Sequence, residues 1–208
     1  MACTHESRVI VFGKASSRPI REKPAMGRTS MRTIALVALL GALSTSSLSA
    51  QDKYTVKVPG GLAFAEFRGY EGWHLISISQ DGPLMAAILG NPVMIAAYKA
   101  GIPGNGKPFP DGSKMAKVHW IPTKMKTFAA ATVPGAQHDM DFMVKDSKRF
   151  ADSGGWGWGA FAYDSATHTF TAADMTAKPP QGHDAKCGFT CHTIVKNRDY
   201  VFTDYAGR

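Results

Sequence analysis

Two cysteines followed at once by a histidine, close to the C-terminal end, are the feature that most constrains this chain. The segment reads Cys187-Gly188-Phe189-Thr190-Cys191-His192. In C-x-x-C-H motifs the two thiols bond covalently to haem and the histidine binds its iron, but here one more residue separates the cysteines. Residues four apart on a helix share a face, as do residues three apart. We therefore predict one covalent haem c per chain, attached through Cys187 and Cys191, with His192 as the iron ligand.

The same residues also permit other interpretations. A structural zinc site could use four of them: His183, Cys187, Cys191 and His192. The cysteines could instead form a local disulfide or be two unrelated thiols. Taken alone, the segment favours haem and leaves these alternatives open.

Residues 31–50 have the pattern of a secretory signal peptide. Arg32 precedes an apolar run over residues 34–43, and small residues end the segment at Ala50. The apolar run is far shorter than the ~20 residues that span a bilayer. We therefore predict a non-native extension over residues 1–30, a signal peptide over residues 31–50, and cleavage near Ala50.

Removal of this leader changes the charge of the protein. The whole chain has a formal net charge of +8, whereas residues 51–208 contain 17 Lys and Arg against 14 Asp and Glu, which leaves +3. Most of the positive charge that would favour nucleic acid or an anionic membrane is thus lost, and we expect neither as a partner. Because c-type haem is attached outside the bacterial cytoplasm, the leader and the haem motif together predict a periplasmic protein.

The remaining residues, 51–208, are enough for a single domain with its own core. Alternating or strand-like patterns predict strands over residues 73–79, 114–120, 127–133, 139–144 and 158–163. Asn91 and Pro92 are typical of a helix start, and Gly101 of its end. A shorter helix over about residues 183–195 would carry the cysteines. We predict an α+β fold that is mainly β: an antiparallel sheet, a few short helices and a haem-binding helix near the C-terminus.

The position of the motif excludes two common haem architectures. Small electron-transfer cytochromes use a methionine downstream of the motif as the sixth iron ligand, but the 16 residues after His192 contain neither Met nor His. Four-helix-bundle cytochromes need four long amphipathic segments, which this chain lacks. Any sixth ligand would have to come from upstream, and an iron with an open position is the simpler expectation.

Several segments, in order along the chain, are similar to those of the cytochrome P460 family, to which cytochrome c′-beta is related. They are Gly72-Trp73-His74-Leu75, Gly90-Asn91-Pro92, Phe109-Pro110-Asp111-Gly112, Phe142-Met143-Val144-Lys145-Asp146, Gly154-Gly155-Trp156-Gly157, Cys191-His192 and Asp199-Tyr200-Val201-Phe202-Thr203. Together they cover nearly all of the mature chain. The resemblance implies a periplasmic homodimer with a mainly antiparallel sheet and a haem motif near the C-terminus.

The resemblance also implies a reaction. Catalytic members oxidise hydroxylamine and release nitrous oxide at a haem that is joined covalently to a lysine side chain. The resemblance places Lys117, five residues beyond Gly112, at the cross-linking position, with Lys114 as the alternative. These two lysines point to opposite faces of an alternating strand. Members without the cross-link bind nitric oxide and do not turn it over, and this is the alternative function.

Oxidation of hydroxylamine also releases protons, and the family uses a carboxylate to accept them. The mature chain contains only two glutamates, Glu66 and Glu71, so an aspartate is expected. Asp139 and Asp141 share one face of a predicted strand. We predict Asp141 as the acceptor, with Asp139 as the alternative.

The other strand histidines lack the spacing of metal ligands. We expect each to be a surface or hydrogen-bonded side chain: His74, His119, His138 and His168.

The resemblance to the cytochrome P460 family also implies the partners. We expect hydroxylamine, nitric oxide and an unidentified electron acceptor. The predicted catalytic residues are Lys117 and Asp141.

Overall fold

Six antiparallel strands form the framework of the part of the chain that the structure describes. The computed structural model describes residues 51–59, 62–173 and 188–207. The predicted extension and signal peptide, together with His183 and Cys187, lie outside the described residues.

The strands follow one another in space in their order along the chain. They are β1 (His74–Asp81), β2 (Leu84–Gly90), β3 (Lys114–Lys124), β4 (Thr132–Lys145), β5 (Trp156–Asp164) and β6 (Thr169–Ala172). Each strand pairs antiparallel with the next. This sheet with few short helices confirms the predicted fold class.

Helix α1 (Pro92–Lys99) begins where the sequence predicts. The Asn91 side chain accepts a hydrogen bond of 3.0 Å from the Met94 amide, and Pro92 occupies the first turn, where no amide hydrogen is needed. Near the C-terminus, α2 (Phe189–His192) leads into a 3-10 helix (Thr193–Arg198). In the part of the chain that the structure describes, no helix is long and apolar enough to cross a membrane.

Three parts of the sheet differ from the predictions. The predicted strand over residues 127–133 is wrong, because β3 ends at Lys124 and only the last two of these residues belong to β4. Between the strands the chain turns, with the Ala131 amide bonded to the Phe128 carbonyl at 2.9 Å. The sequence predicts no strand at β2, because LMAAILG is apolar throughout and shows no alternation, and none at the four-residue β6, TFTA.

One face of the sheet packs against the segment before β1, and we call it the aromatic face. Phe142 of β4 stacks on Phe67 with ring centroids 4.1 Å apart, and Phe64 meets Phe142 edge-on at 5.0 Å. The buried residues of this core are Val58, Leu62, Phe64, Phe67, Tyr70, Ala116, Val118, Met140, Phe142, Val144, Phe150, Phe161 and Phe170.

The opposite face packs against α1 and the C-terminal segment, and we call it the helix face. Its buried residues are Ile76, Ile88, Met94, Ile95, Ala97, Tyr98, Phe109, Met115, Met143, Trp156, Trp158 and Val201. Because side chains alternate along a strand, polar residues follow Met115 and Met143 on this same face. They are Lys117 and His119 on β3, and Asp141 and Asp139 on β4.

We predict that Phe142 contributes far more to stability than an exposed phenylalanine of the same chain. Replacing Phe142, which is 2% exposed, with alanine should lower the free energy of unfolding by about 3–5 kcal/mol, because a cavity replaces a buried ring. The matched control is Phe128→Ala: Phe128 is 63% exposed, and its loss should change stability by less than about 0.5 kcal/mol. Chemical denaturation of both variants measures the difference, and equal losses would contradict this view of the core.

Candidate functional site

His192, the last residue of α2, is held in one orientation by a backbone carbonyl. Its Nδ1 lies 2.6 Å from the carbonyl oxygen of Tyr200. A carbonyl oxygen only accepts hydrogen bonds, so Nδ1 carries the proton and donates it. The Nε2 atom of the neutral ring therefore keeps the lone pair that a metal ion requires.

The surroundings of His192 favour this neutral form. Burial lowers the pKa of His192, the hydrogen bond to Tyr200 opposes that shift, and the charge of Lys117 adds to it. The imidazole ring stands 5.3 Å from Trp158 and 5.0 Å from Phe202, measured between ring centroids. The predicted iron ligand thus has the protonation state and the free nitrogen that ligation needs.

Gly188 allows this helix to lie directly on the sheet. A Cβ atom at this position would collide with the Trp158 ring, so any larger residue would push the helix away from β5. The Gly188 carbonyl accepts a hydrogen bond of 2.9 Å from the His192 amide, which closes the single turn of α2. Cys191 lies in this turn, is partly buried and forms no disulfide with a residue that the structure describes. Its predicted partner Cys187 is outside the described residues.

The Trp158 ring also offers a hydrogen-bond donor beside His192. Its indole nitrogen is buried and has no hydrogen-bond partner among residues 51–59, 62–173 and 188–207. A buried donor of this kind is normally satisfied, since leaving it unpaired costs free energy. The position therefore suits an acceptor group on a bound molecule.

The two candidate lysines lie on opposite faces of the sheet, as the alternation of β3 predicts. Lys114 is on the aromatic face, where its Nζ donates to the Glu66 carbonyl and lies 5.6 Å from the centre of the Phe67 ring. Lys117 is on the helix face, directly across from Asp141 in the β3–β4 pair. Its charge is near enough to His192 to affect the pKa of that ring. The structure thus brings Lys117, and not Lys114, to the side of His192.

Lys117 also borders a shallow depression in the helix face. The depression is lined by Ser79, Asp81, Leu84, Ala86, Lys117 and His119. These residues come from β1, β2 and β3, so the depression lies beside the β3–β4 pair that carries the aspartates.

The two candidate aspartates have different surroundings. Asp139 accepts hydrogen bonds from Nδ1 of His119 and, at 2.7 Å, from Nδ1 of His138. Burial raises the pKa of Asp139, but these hydrogen bonds and the histidine charges outweigh it, and the pKa lies below its ordinary value. Asp139 is therefore a stable anion. His119 and His138 are hydrogen-bonded histidines, as predicted.

Asp141 is the carboxylate suited to exchange protons near neutral pH. Its side chain is partly covered, with 45% exposed, and a carboxylate oxygen lies 3.8 Å from Nδ1 of His119. Burial, together with the charge of Asp139, raises the pKa of Asp141 to about 6, although His119 and Lys117 oppose the shift. A carboxyl group with this pKa can both accept and release a proton in the physiological range.

Donor atoms of His119, Asp139 and Asp141 lie within 4.8 Å of one another, close enough to hold a cation. The hydrogen bond from His119 to Asp139 accounts for this cluster without a metal. The sequence predicts His119 to be a surface or hydrogen-bonded side chain and gives no sign of the contact with the Tyr200 carbonyl. A contact through a backbone carbonyl does not depend on the identity of a side chain and so leaves no pattern in the sequence. The segment that contains Tyr200, D-Y-V-F-T, stands out only for its resemblance to the family.

Comparison with known proteins supports one family. A family model described as Cytochrome P460 matches residues 67–203, about two thirds of the chain. A comparison with curated protein sequences finds no match. The matched range contains β1 to β6, the Lys117 and Asp141 pair, and His192 with its Tyr200 contact. On this evidence the chain belongs to the cytochrome P460 family of haem proteins.

Proposed function

We propose that this protein is an exported c-type haem oxidoreductase that oxidises hydroxylamine and releases nitrous oxide. The observation that carries the proposal is the placement of Lys117 opposite Asp141 on the sheet face that also packs His192. The family implies haem. The reaction, the attachment and the roles of the residues are our proposal.

The residues present fit the haem that the family implies. His192 would bind iron through the free Nε2, because Nδ1 is occupied by the Tyr200 carbonyl. Cys191 and Cys187 would form thioethers, in which each S–H adds across a vinyl double bond with no net oxidation. The unpaired indole donor of Trp158 would be available to an acidic group of the haem.

Lys117 would form the additional link to the ring edge. A new C–N bond would replace one N–H bond of the lysine and one C–H bond of the ring. Its formation therefore removes two protons and two electrons, and an oxidant such as a peroxide must take them up. Lys114 is unsuited to this role, because its Nζ is hydrogen-bonded on the aromatic face.

The reaction needs a proton acceptor as well as an electron acceptor. Two molecules of hydroxylamine yield one nitrous oxide and one water, with the loss of four protons and four electrons. Haem bound at His192 would supply the redox chemistry, and an external carrier would receive the electrons. Asp141 would accept protons, since its pKa of about 6 leaves it mostly ionised at neutral pH. Asp139 would remain an anion that orients His119 and His138.

The setting of the reaction is also a proposal. We propose export to the periplasm through cleavage near Ala50, assembly as a homodimer, and no nucleic acid or membrane partner after cleavage. The small net charge of residues 51–208 supports the last point. Attachment of c-type haem outside the cytoplasm supports the first.

We predict that haem is attached through both cysteines despite the extra residue between them. In a Lys117→Arg background, where no lysine link forms, haem should stay on the chain after denaturation. It should be released when Cys187→Ala and Cys191→Ala are added. Intact mass under denaturing conditions measures this. Haem that is released while both cysteines are present would contradict thioether attachment.

We predict that Lys117 is cross-linked and that Lys114 is not. Proteolysis of the mature protein should yield a haem joined to two peptides, one with Lys117 and one with the cysteines. Lys117→Arg should remove the first peptide and abolish hydroxylamine turnover, yet preserve nitric oxide binding. The matched control Lys114→Arg, on the same strand and the opposite face, should keep both peptides. A single haem peptide in the unaltered protein would instead indicate the nitric oxide-binding function of cytochrome c′-beta.

We predict that Asp141→Asn lowers kcat for hydroxylamine oxidation by about 10²–10⁴, the range typical of a lost general base. A base acts only when it is deprotonated. Turnover of the unaltered enzyme should therefore rise with pH through about 6 and level off above it. Asp141→Asn should lose this rise and still bind nitric oxide. Steady-state kinetics across pH measure both effects.

The control for this experiment is Asp139→Asn, which alters the neighbouring carboxylate on the same face. It should reduce turnover less than Asp141→Asn and should keep a rise with pH. A larger loss in Asp139→Asn would assign the proton acceptor to Asp139 instead.

A further inference from the structure

Two buried side chains of opposite charge form an ion pair next to Tyr200, the residue whose carbonyl contacts His192. Lys145, at the end of β4, lies 2.6 Å from Asp199 when measured between Nζ and Oδ1, and their side chains are 7% and 11% exposed. Lys145 also donates to the Gly154 carbonyl at 2.9 Å, and Asp199 accepts from the Phe109 amide at 2.8 Å. Removal of either partner would leave a buried charge without compensation, which is strongly unfavourable.

Asp199 is the first of two residues in a left-handed turn. The φ angles are 51° at Asp199 and 64° at Tyr200. Asp tolerates this conformation because its short polar side chain bonds locally, whereas Tyr rarely adopts it. Such a conformation persists only where the surrounding structure holds it. The ion pair and the Phe109 amide hold Asp199, and the Tyr200 ring lies over Gly154, where a Cβ would collide with it.

This turn sets the direction of the carbonyl that binds His192. The Tyr200 amide is bonded to the Val195 carbonyl at 3.1 Å, so the turn folds back over the 3-10 helix. The Tyr200 carbonyl oxygen then lies 2.6 Å from Nδ1 of His192. Groups that hydrogen-bond the second nitrogen of a ligating histidine fix its ring and make it a stronger electron donor.

We propose that the Lys145–Asp199 ion pair positions His192. The pair holds the left-handed turn, the turn aims the Tyr200 carbonyl, and the carbonyl orients the imidazole and strengthens it as a ligand. Lys145 and Asp199 touch neither substrate nor iron, so they are positioning residues. The inference rests on the proposed role of His192 as the iron ligand.

The test uses the haem-loaded protein and two variants, Lys145→Met and Asp199→Ala. Resonance Raman spectroscopy of the ferrous protein reports the iron–histidine stretching band, and a redox titration gives the midpoint potential. If the Tyr200 carbonyl is misdirected, the imidazole donates less electron density. The band should then move to lower frequency and the midpoint potential should rise. A role confined to stability would move neither.

The double variant Lys145→Met with Asp199→Asn keeps the test decisive if a buried lone charge prevents folding. It removes both charges of the pair, and Asn has nearly the same size as Asp and tolerates a positive φ, so the turn residue is retained. This variant should show the same shifts in smaller degree. The matched control is Arg149→Met, which breaks a 2.7 Å ion pair with Glu66 elsewhere on the molecule and should leave the band and potential unchanged.

The outcomes separate the two proposals. An unchanged band and potential in the folded double variant would overturn the positioning role. The same shifts in Arg149→Met would overturn it as well. If the unaltered protein shows no iron–histidine band, or if His192→Ala keeps the band, the iron is not held by His192 at an open site, and the proposed function fails at that point instead.

Discussion

The register of β3 against β4 is the constraint on which the site depends. It places Lys117 opposite Asp141 and His119 opposite Asp139. Side chains alternate along a strand, so a slip of one residue would turn all of these groups to the other face. The aromatic face prevents that slip, because Lys117 would then enter a core where Phe142 stacks on Phe67. Packing on one face of the sheet thus sets the chemistry of the other.

Burial favours the neutral form of both His192 and Asp141. It is the largest cause of the lowered pKa of His192 and of the raised pKa of Asp141. Both shifts disfavour a charge, because a group that protein covers in part loses some of the solvation that stabilises its ionised form. The result is a neutral imidazole with a free nitrogen and a carboxyl group that titrates near neutral pH. Asp139 escapes this trend only through its hydrogen bonds from two histidines.

Much of the sheet was predictable where one face is polar. The patterns around β1, β3, β4 and β5 indicated strands, and alternation placed Lys114 and Lys117 on opposite faces. Alternation did not reveal β2, which is apolar on both faces, or the four-residue β6, and it wrongly predicted a strand over residues 127–133, most of which form the turn between β3 and β4. The choice between Asp139 and Asp141 could be made from the sequence only by position. Their physical difference arises from contacts with His119 and His138 that need the folded sheet.

The sequence by itself determined the chemical groups: two thiols, a histidine beside one of them, and a lysine and an aspartate on strands whose side chains alternate between two faces. It also determined the family, through short segments in a fixed order. Only the tertiary structure decided how those groups meet. The Tyr200 carbonyl faces His192 because a strained turn is held by Lys145, which lies 54 residues from Asp199 along the chain. Contacts over such separations depend on how strands and turns pack, so a local sequence pattern does not predict them.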